Sequence, residues 1–507
     1  MHHHPPPVEM TTRKFAMQAR IDPTPALQHA AACIALASTL LSGCASPDGL
    51  SVHATATAVE RLAARQTLSG VPLSATSWPQ NDWWTGYGDE QLNRLMLAAL
   101  HDQPDLRVAS ARLRQAQAVA GGVEARLGPQ VTANLKSTTQ RFSENSIYPK
   151  NLAGKVRSID GGEIDIAQEL DFWGRNRAAL DAALDRAHVA EVEAQASRLV
   201  LTTTLARTYL QLDTAYARRD LAESTLRQRE EILALVRRRV AVQLDSQLEL
   251  TQAEAALPAV RAQLASIDES IALAGSQLAA LQGQGPDAAL VVERPHLKAA
   301  EVVQLPSALP AELLGRRPDI VAARWRVEAS SRDIDVARAG FYPNVSLNAF
   351  AGYQSIGLGD FLTAGSRMIG VSPTVSLPIF DSGRLRANLD LQQGQYDAAV
   401  ETYNGALVNA LHDVAAQLVS LKWVDAEMDQ QRQGLALARR AFDLARERYR
   451  IGVAGYLNVL SAESALLLQQ RQLVDAEGRR RELQLSLIRA LGGGYVPAAS
   501  PAPRRAS

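Results

Sequence analysis

From Arg175 to Arg239 the chain runs without proline or glycine. From Arg384 to Arg450 it has no proline and only Gly394, Gly405 and Gly434. Such runs permit unbroken helix, because proline removes an interior N–H and glycine costs about 1 kcal/mol relative to alanine. At ~1.5 Å per residue each helix would be about 100 Å long. In the second run the stripe is Leu385, Leu389, Gln393, Tyr396, Val400, Tyr403, Leu407, Leu411, Val414, Leu418 and Leu421. Its mean step is about 3.6, the period of a straight helix, where a coiled coil keeps 3.5 and supercoils. The pattern predicts a nearly straight stave packed along one face.

Each run follows a stretch that alternates. Val371, Val375, Leu377 and Ile379 alternate with Gly370, Ser372, Thr374 and Ser376. Ile164, Ile166, Leu170 and Phe172 oppose Glu163, Asp165, Glu169 and Asp171. A strand with that period has one apolar and one polar face. An earlier strand precedes each, with Val131, Ala133 and Leu135 on one face in the first case and Val345, Leu347, Ala349, Ala351 and Tyr353 in the second. The unit therefore occurs twice. Pro104 and Pro129 recur as Pro318 and Pro343, and Gly174 recurs as Gly383.

The order predicts a first repeat over 89–283 (strands near 129–140 and 161–173, hairpin 175–282) and a Gly-, Pro- and Ala-rich linker over 284–317. A second repeat follows over 318–494 (strands near 343–353 and 368–380, hairpin 384–491), then a disordered tail over 495–507. The returning helices, near 246–282 and 455–491, are too short to span the outgoing ones. The helices near 104–127 and 318–339 would complete them. Pro373, in mid-strand, calls for a bulge or a bent end.

At the N-terminus Arg13, Lys14 and Arg20 precede an apolar run, Ala30–Leu41, too short to span a bilayer. It ends in Leu41-Ser42-Gly43-Cys44, which resembles a bacterial lipobox. Residues 1–43 are then a signal peptide, and 44–88 an extended leader behind a lipidated Cys44. Ala45, in place of an aspartate, points to the outer membrane. No other apolar run reaches transmembrane-helix length, so a membrane span must be a closed barrel. Formal net charge is zero, which gives no case for nucleic acid. The only cysteines, Cys33 and Cys44, form no disulfide framework.

Four two-faced strands cannot close a barrel, since the smallest have about eight. Three copies supply 12, and counting alone leaves a dimer open. Here the sequence resembles a known family. Arg316-Arg317-Pro318-Asp319-Ile320, Gly340-Phe341-Tyr342-Pro343-Asn344-Val345, Phe380-Asp381-Ser382-Gly383-Arg384 and Arg448-Tyr449-Arg450-Ile451-Gly452-Val453 are similar to motifs of the TolC family of outer-membrane efflux factors, in its NodT-type lipoprotein branch. The resemblance implies a mainly α, internally duplicated α+β membrane protein. It would form a homotrimer with a 12-stranded β-barrel in outer-membrane lipid, continuous with a 12-helix periplasmic α-barrel. It implies the passive exit duct of a tripartite pump for drugs or other small toxic molecules. Its partners would be a periplasmic adaptor and an inner-membrane pump of the resistance-nodulation-division type.

The resemblance also implies site residues. Ile451, Gly452 and Val453, with Val240, Ala241 and Val242 in the first copy, match the tip that an adaptor engages. Ala241 stands opposite Gly452 and the first turn counts two residues longer, so the tips are expected to differ. Leu457, Asn458 and Ser461 align with the family's constriction. An aspartate ring common there is missing, which leaves Leu457 as a plug that acts by dewetting. Glu249, beside Leu248, would supply charge in the first copy. Glu163, Asp165, Glu169 and Asp171 would line the lumen. His188 and His412 lack metal-ligand spacing and no catalytic motif stands out, so the expectation is no enzyme, no metal and no cofactor beyond the lipid. The alternatives are a lipid-anchored coiled-coil adaptor, or a same-family duct for metal-ion export or protein secretion.

Overall fold

The computed structural model describes residues 49–58, 73–74, 78–298, 305–306 and 315–496. The signal segment, Cys44 and the tail beyond 496 lie outside them. Among the described residues no helix is long and apolar enough to cross a membrane, and no group of three potential metal ligands occurs.

Among the described residues the main helices are α1 (Glu90–Asp102), α2 (Pro104–Glu124), α3 (Arg175–Ala241), α4 (Gln247–Leu281), α5 (Pro318–Ala339), α6 (Arg384–Arg450) and α7 (Tyr456–Ala490). Every position of the 3.6-residue stripe in α6 is buried or half-buried. The two hairpins have helices of the same lengths, 67 and 35 residues. Arg175, Ala241, Gln247 and Leu281 correspond to Arg384, Arg450, Tyr456 and Ala490, each 209 positions on. Each outgoing helix opens on a left-handed glycine, Gly174 (φ 74°) and Gly383 (φ 85°), which turns the chain from strand to helix. An L side chain resists that conformation.

The strands are β2 (Gln130–Arg141), β3 (Val156–Leu170), β5 (Asn344–Ile356) and β6 (Arg367–Ser376), in one antiparallel sheet of order β2-β3-β5-β6. A short parallel pair, β1 (Leu73–Ser74) with β4 (Leu305–Pro306), ties the leader to the linker. β3 begins earlier and β6 ends earlier than the alternation predicts. Leu377 to Phe380 leave the ladder, where Pro378 has no N–H to donate. Pro373 sits within β6 opposite Leu347, tolerated because β6 is an edge strand of the chain.

Register places the apolar residues together. Val131 faces Ile166, Ile166 faces Ala349, and Ala349 faces Val371. This face is open: Leu135, Ile369 and Val375 are 88%, 85% and 66% exposed. An apolar sheet face left uncovered by its own chain must meet lipid or protein.

Around α3 the helices sort into two flanks. In the half near the sheet the sequence of contacts is α2–α3–α5–α6, and in the far half α4–α3–α7–α6. Midway along α3 an equatorial unit packs against it. Trp84, Tyr87, Leu92 and Met96 bury against Leu205, Tyr209 and Leu212. Asp89 anchors it. Burial alone would raise its carboxyl, but donors from His296 N, Tyr209 Oη, Leu92 N and Gln91 N outweigh this and hold it below the usual carboxylate value.

Candidate functional site

The far ends of both hairpins meet in one apolar cluster. Ile232, Leu233, Val236, Ala253, Phe442, Tyr449, Tyr456, Val459 and Leu466 bring α3, α4, α6 and α7 together. Each turn has five residues, 242–246 and 451–455. The expected difference in turn length is therefore corrected. Gln243 (φ 57°), not Ala241, occupies the position of Gly452 (φ 80°). Ala241 is still helical. Both turns close alike: Gln243 N donates to Val240 O and Leu244 N to Arg239 O, just as Gly452 N donates to Tyr449 O and Val453 N to Arg448 O. This is the helix-ending motif that requires a left-handed residue after the helix. Sequence alignment to the nearest small residue missed Gln243 because the first copy has no glycine in its turn.

Gln243→Gly is expected to stabilise the first turn by about 1 kcal/mol, and Gly452→Ala to destabilise the second by a similar amount. Amide exchange at residues 239–246 and 448–455 measures both. Equal exchange in parent and variants would show that the left-handed backbone carries no strain.

The tips share a second feature. Val242, Leu244 and Leu248 in the first are 64%, 64% and 62% exposed; their counterparts Ile451, Val453 and Leu457 are 57%, 63% and 70% exposed. Each hairpin thus presents the same aliphatic triplet to solvent. Val240 is half-buried and supports the cluster beneath. Asn458 and Ser461 are exposed on α7, one turn apart.

Glu249, the counterpart of Asn458, caps a helix. Its carboxylate accepts from the N–H (2.8 Å) and the hydroxyl of Ser246, closing a capping box at the start of α4. The Ser246 hydroxyl, its own N–H and the Ser246 N–H hold it below its usual pKa.

One charged knot joins the two tips. Arg239 donates from Nε to Asp245 Oδ2 (2.9 Å) and from Nη2 to Asp245 Oδ1 (3.2 Å). Its Nη1 reaches the Tyr449 carbonyl at 3.0 Å, and its guanidinium lies 4.5 Å from the Tyr449 ring centre. The Tyr449 hydroxyl donates to Asp245 Oδ2. Burial, then the Asp245 carboxylate, pushes the Tyr449 phenol up. Tyr449 belongs to a motif quoted above, but no motif marks a tie between segments about 200 residues apart.

In the sheet, Glu163 and Asp165 lie on the polar face, and Asn134 donates to Asp165 Oδ2 (2.7 Å). The other two expected lumen acids are at the strand–helix junction. Glu169 lies 3.9 Å from Arg175, and Asp171 accepts from Arg177 N at 2.8 Å, capping α3. Both contacts help hold the turn from strand to helix.

Comparison with known proteins agrees with this geometry. The outer membrane efflux protein family matches residues 95–284 and 309–493. The chain is 39% identical over 370 residues to the fusaric acid resistance protein FusA of Burkholderia cepacia, covering 72% of this chain and 70% of that protein. It is 31% identical over 469 residues to the multidrug resistance outer membrane protein MdtP of Escherichia coli K12, covering 90% and 94%. Among solved structures, the outer membrane protein VceC of Vibrio cholerae superposes with a TM-score of 0.78 at 38% identity, covering 82% of this chain and all of that one. These matches exclude the adaptor alternative and describe a channel family rather than an enzyme family. The chain belongs to the outer membrane efflux protein family and is an efflux channel of the outer membrane that extends into the periplasm.

Proposed function

We propose that three copies of this chain form the exit duct of a tripartite pump, a 12-stranded barrel continuous with a 12-helix tube. The observation that carries this reading is a pair of open flanks. The sheet ends in unpaired edges at β2 and β6, and an unpaired edge invites another strand. The tube wall ends likewise, at α2 and α4 on one side and α6 on the other. On its free side α6 carries an exposed stripe, Val419, Trp423, Leu437 and Leu444. Different surfaces on the two flanks make a head-to-tail interface, which closes into a ring.

Ile451, Gly452 and Val453, with Val240, Ala241 and Val242 of the first tip, are the docking surface for a periplasmic adaptor. Leu457 and Leu248 ring the constriction, with Asn458 and Ser461 beside them. The inner-membrane partner is a resistance-nodulation-division pump, and the cargo is small toxic molecules. The chain needs no cofactor besides lipid on Cys44. Leu50 packs against Ile334, Ala337 and Leu389 near the sheet end of the helices. A lipid on Cys44, six residues before Leu50, would add an anchor to the membrane.

Native mass spectrometry and electron microscopy of detergent-extracted protein, with conductance in planar bilayers, test the reading. A threefold hollow cylinder that conducts ions is the expected result. Monomers without conductance would overturn it.

A further inference from the structure

The equatorial level of the tube is dense in arginine, and most guanidiniums there are engaged. Arg218 pairs with Asp475 (2.8 Å), Arg480 with Asp425 (2.6 Å), Arg294 with Asp220 (2.5 Å) and Arg481 with Asp213. Arg317 holds both Asp319 (2.6 Å) and Asp413 (3.2 Å). Among the described residues, Arg207 of α3 and Arg489 of α7 have no carboxylate or other hydrogen-bonding partner.

Both line a cavity of about 340 Å³. It lies where the start of α5 meets the end of α7, a junction closed by Arg317 Nη1 donating to the Ala490 carbonyl at 3.2 Å. Leu199, Val200 and Pro318 give it an apolar wall. Asp319 and Asp413 also line it, but both are committed to Arg317, so the cavity is net positive. Its direction follows from helix geometry at about 100° per residue. On α3, Leu205, Tyr209 and Leu212 face outward beneath the equatorial unit, and Arg207 lies on the opposite side. On α6, Leu411, Val414 and Leu418 pack with Trp78 and with Leu487, Ala490 and Leu491 of α7, and Asp413 lies on the side away from them. In the duct proposed above the equatorial unit lies outside, so the Arg207 side of α3 faces the lumen.

We propose that this cavity is a subsite for small amphipathic carboxylates in transit, a reading that rests on the duct proposed above. A guanidinium takes a carboxylate through paired, charge-assisted hydrogen bonds. The apolar wall takes the hydrocarbon body, as ligand sites combine an apolar lining with few placed polar groups. Threefold repetition would set three such sites at one level of the tunnel. Binding there raises the local concentration of anionic cargo midway along the path, and it must stay weak enough to release.

Calorimetric titration of the purified trimer with benzoate, and with acetate as a carboxylate lacking the apolar body, tests this. Bilayer conductance of the same preparations reports the duct. Benzoate is expected to bind more tightly than acetate, and about tenfold more weakly to R207Q and to R489Q. R207K, which keeps the charge but loses the paired geometry, should bind with an affinity between those of the parent and R207Q. Conductance of the variants reports that they assemble. A conducting wild-type duct that does not bind benzoate, or an affinity unmoved by either glutamine, would overturn the site and leave the duct standing. Equal affinity for acetate would also overturn it. Protein that neither conducts nor binds would overturn the duct reading itself.

Discussion

Arg229→Leu is expected to destabilise the periplasmic half of the tube by about 3–5 kcal/mol, the cost of leaving a buried charge without its partner. The charge is Glu463 of α7, whose side chain is 3% exposed; that of Arg229 is 16% exposed. Arg229 Nε and Gln228 Nε2 each reach Glu463 Oε1 at 3.3 Å. The same arginine donates from Nη1 to the Ala256 carbonyl at 2.9 Å. That bond falls two residues before Pro258, an interior proline of α4 that cannot complete the helix ladder. One side chain on α3 therefore holds α7 by charge and α4 within a turn of its interior proline. Replacing both partners, as Arg229→Leu with Glu463→Leu, should recover most of the loss, since a well-packed apolar pair is often as stable as a buried ion pair. Thermal unfolding of the detergent-solubilised protein and amide exchange over 250–263 measure this. A single variant within 1 kcal/mol of the parent would mean that water reaches Glu463.

Asp245→Ala should part the two tips. The Arg239 and Asp245 side chains are only 11% and 8% exposed, so the alanine strands a buried cation, at about 3 kcal/mol. It also removes the acceptor of the Tyr449 hydroxyl. Tyr449→Phe deletes one charge-assisted hydrogen bond and should cost about 1.5–3 kcal/mol. The expected readouts are faster amide exchange at the first turn and higher bilayer conductance, both larger for Asp245→Ala. Parent-level conductance in that variant would show that this tie does not hold the constriction.

The helical staves, the two-faced strands and the duplication could be read from residues alone, because periodicity and proline placement are local signals. The stripe from Leu385 to Leu421 needed no tertiary information. The tip was read less well. Gln243 takes a left-handed backbone that sequence assigns to glycine, and the closing hydrogen bonds around it compensate. Glu249, Glu169 and Asp171 looked like free charges in a one-dimensional pattern. Each is used within a few residues of itself, as a cap or a junction contact. Arg239, Asp245, Arg229 and Glu463 gave no signal, because their meaning lies in contacts spanning about 200 residues.

The leader has a consequence for tolerance to change. Asp397 receives the backbone N–H groups of His53 (3.0 Å) and Ala54 (2.9 Å). Asn404 takes the N–H of Thr57 (2.8 Å) and donates to the Thr55 carbonyl (3.1 Å). What α6 recognises is the peptide backbone, which every residue but proline supplies in full. Residues 51–58 can therefore drift in sequence while their path stays fixed. The constraint falls on two polar side chains of a helix that would otherwise read as ordinary surface.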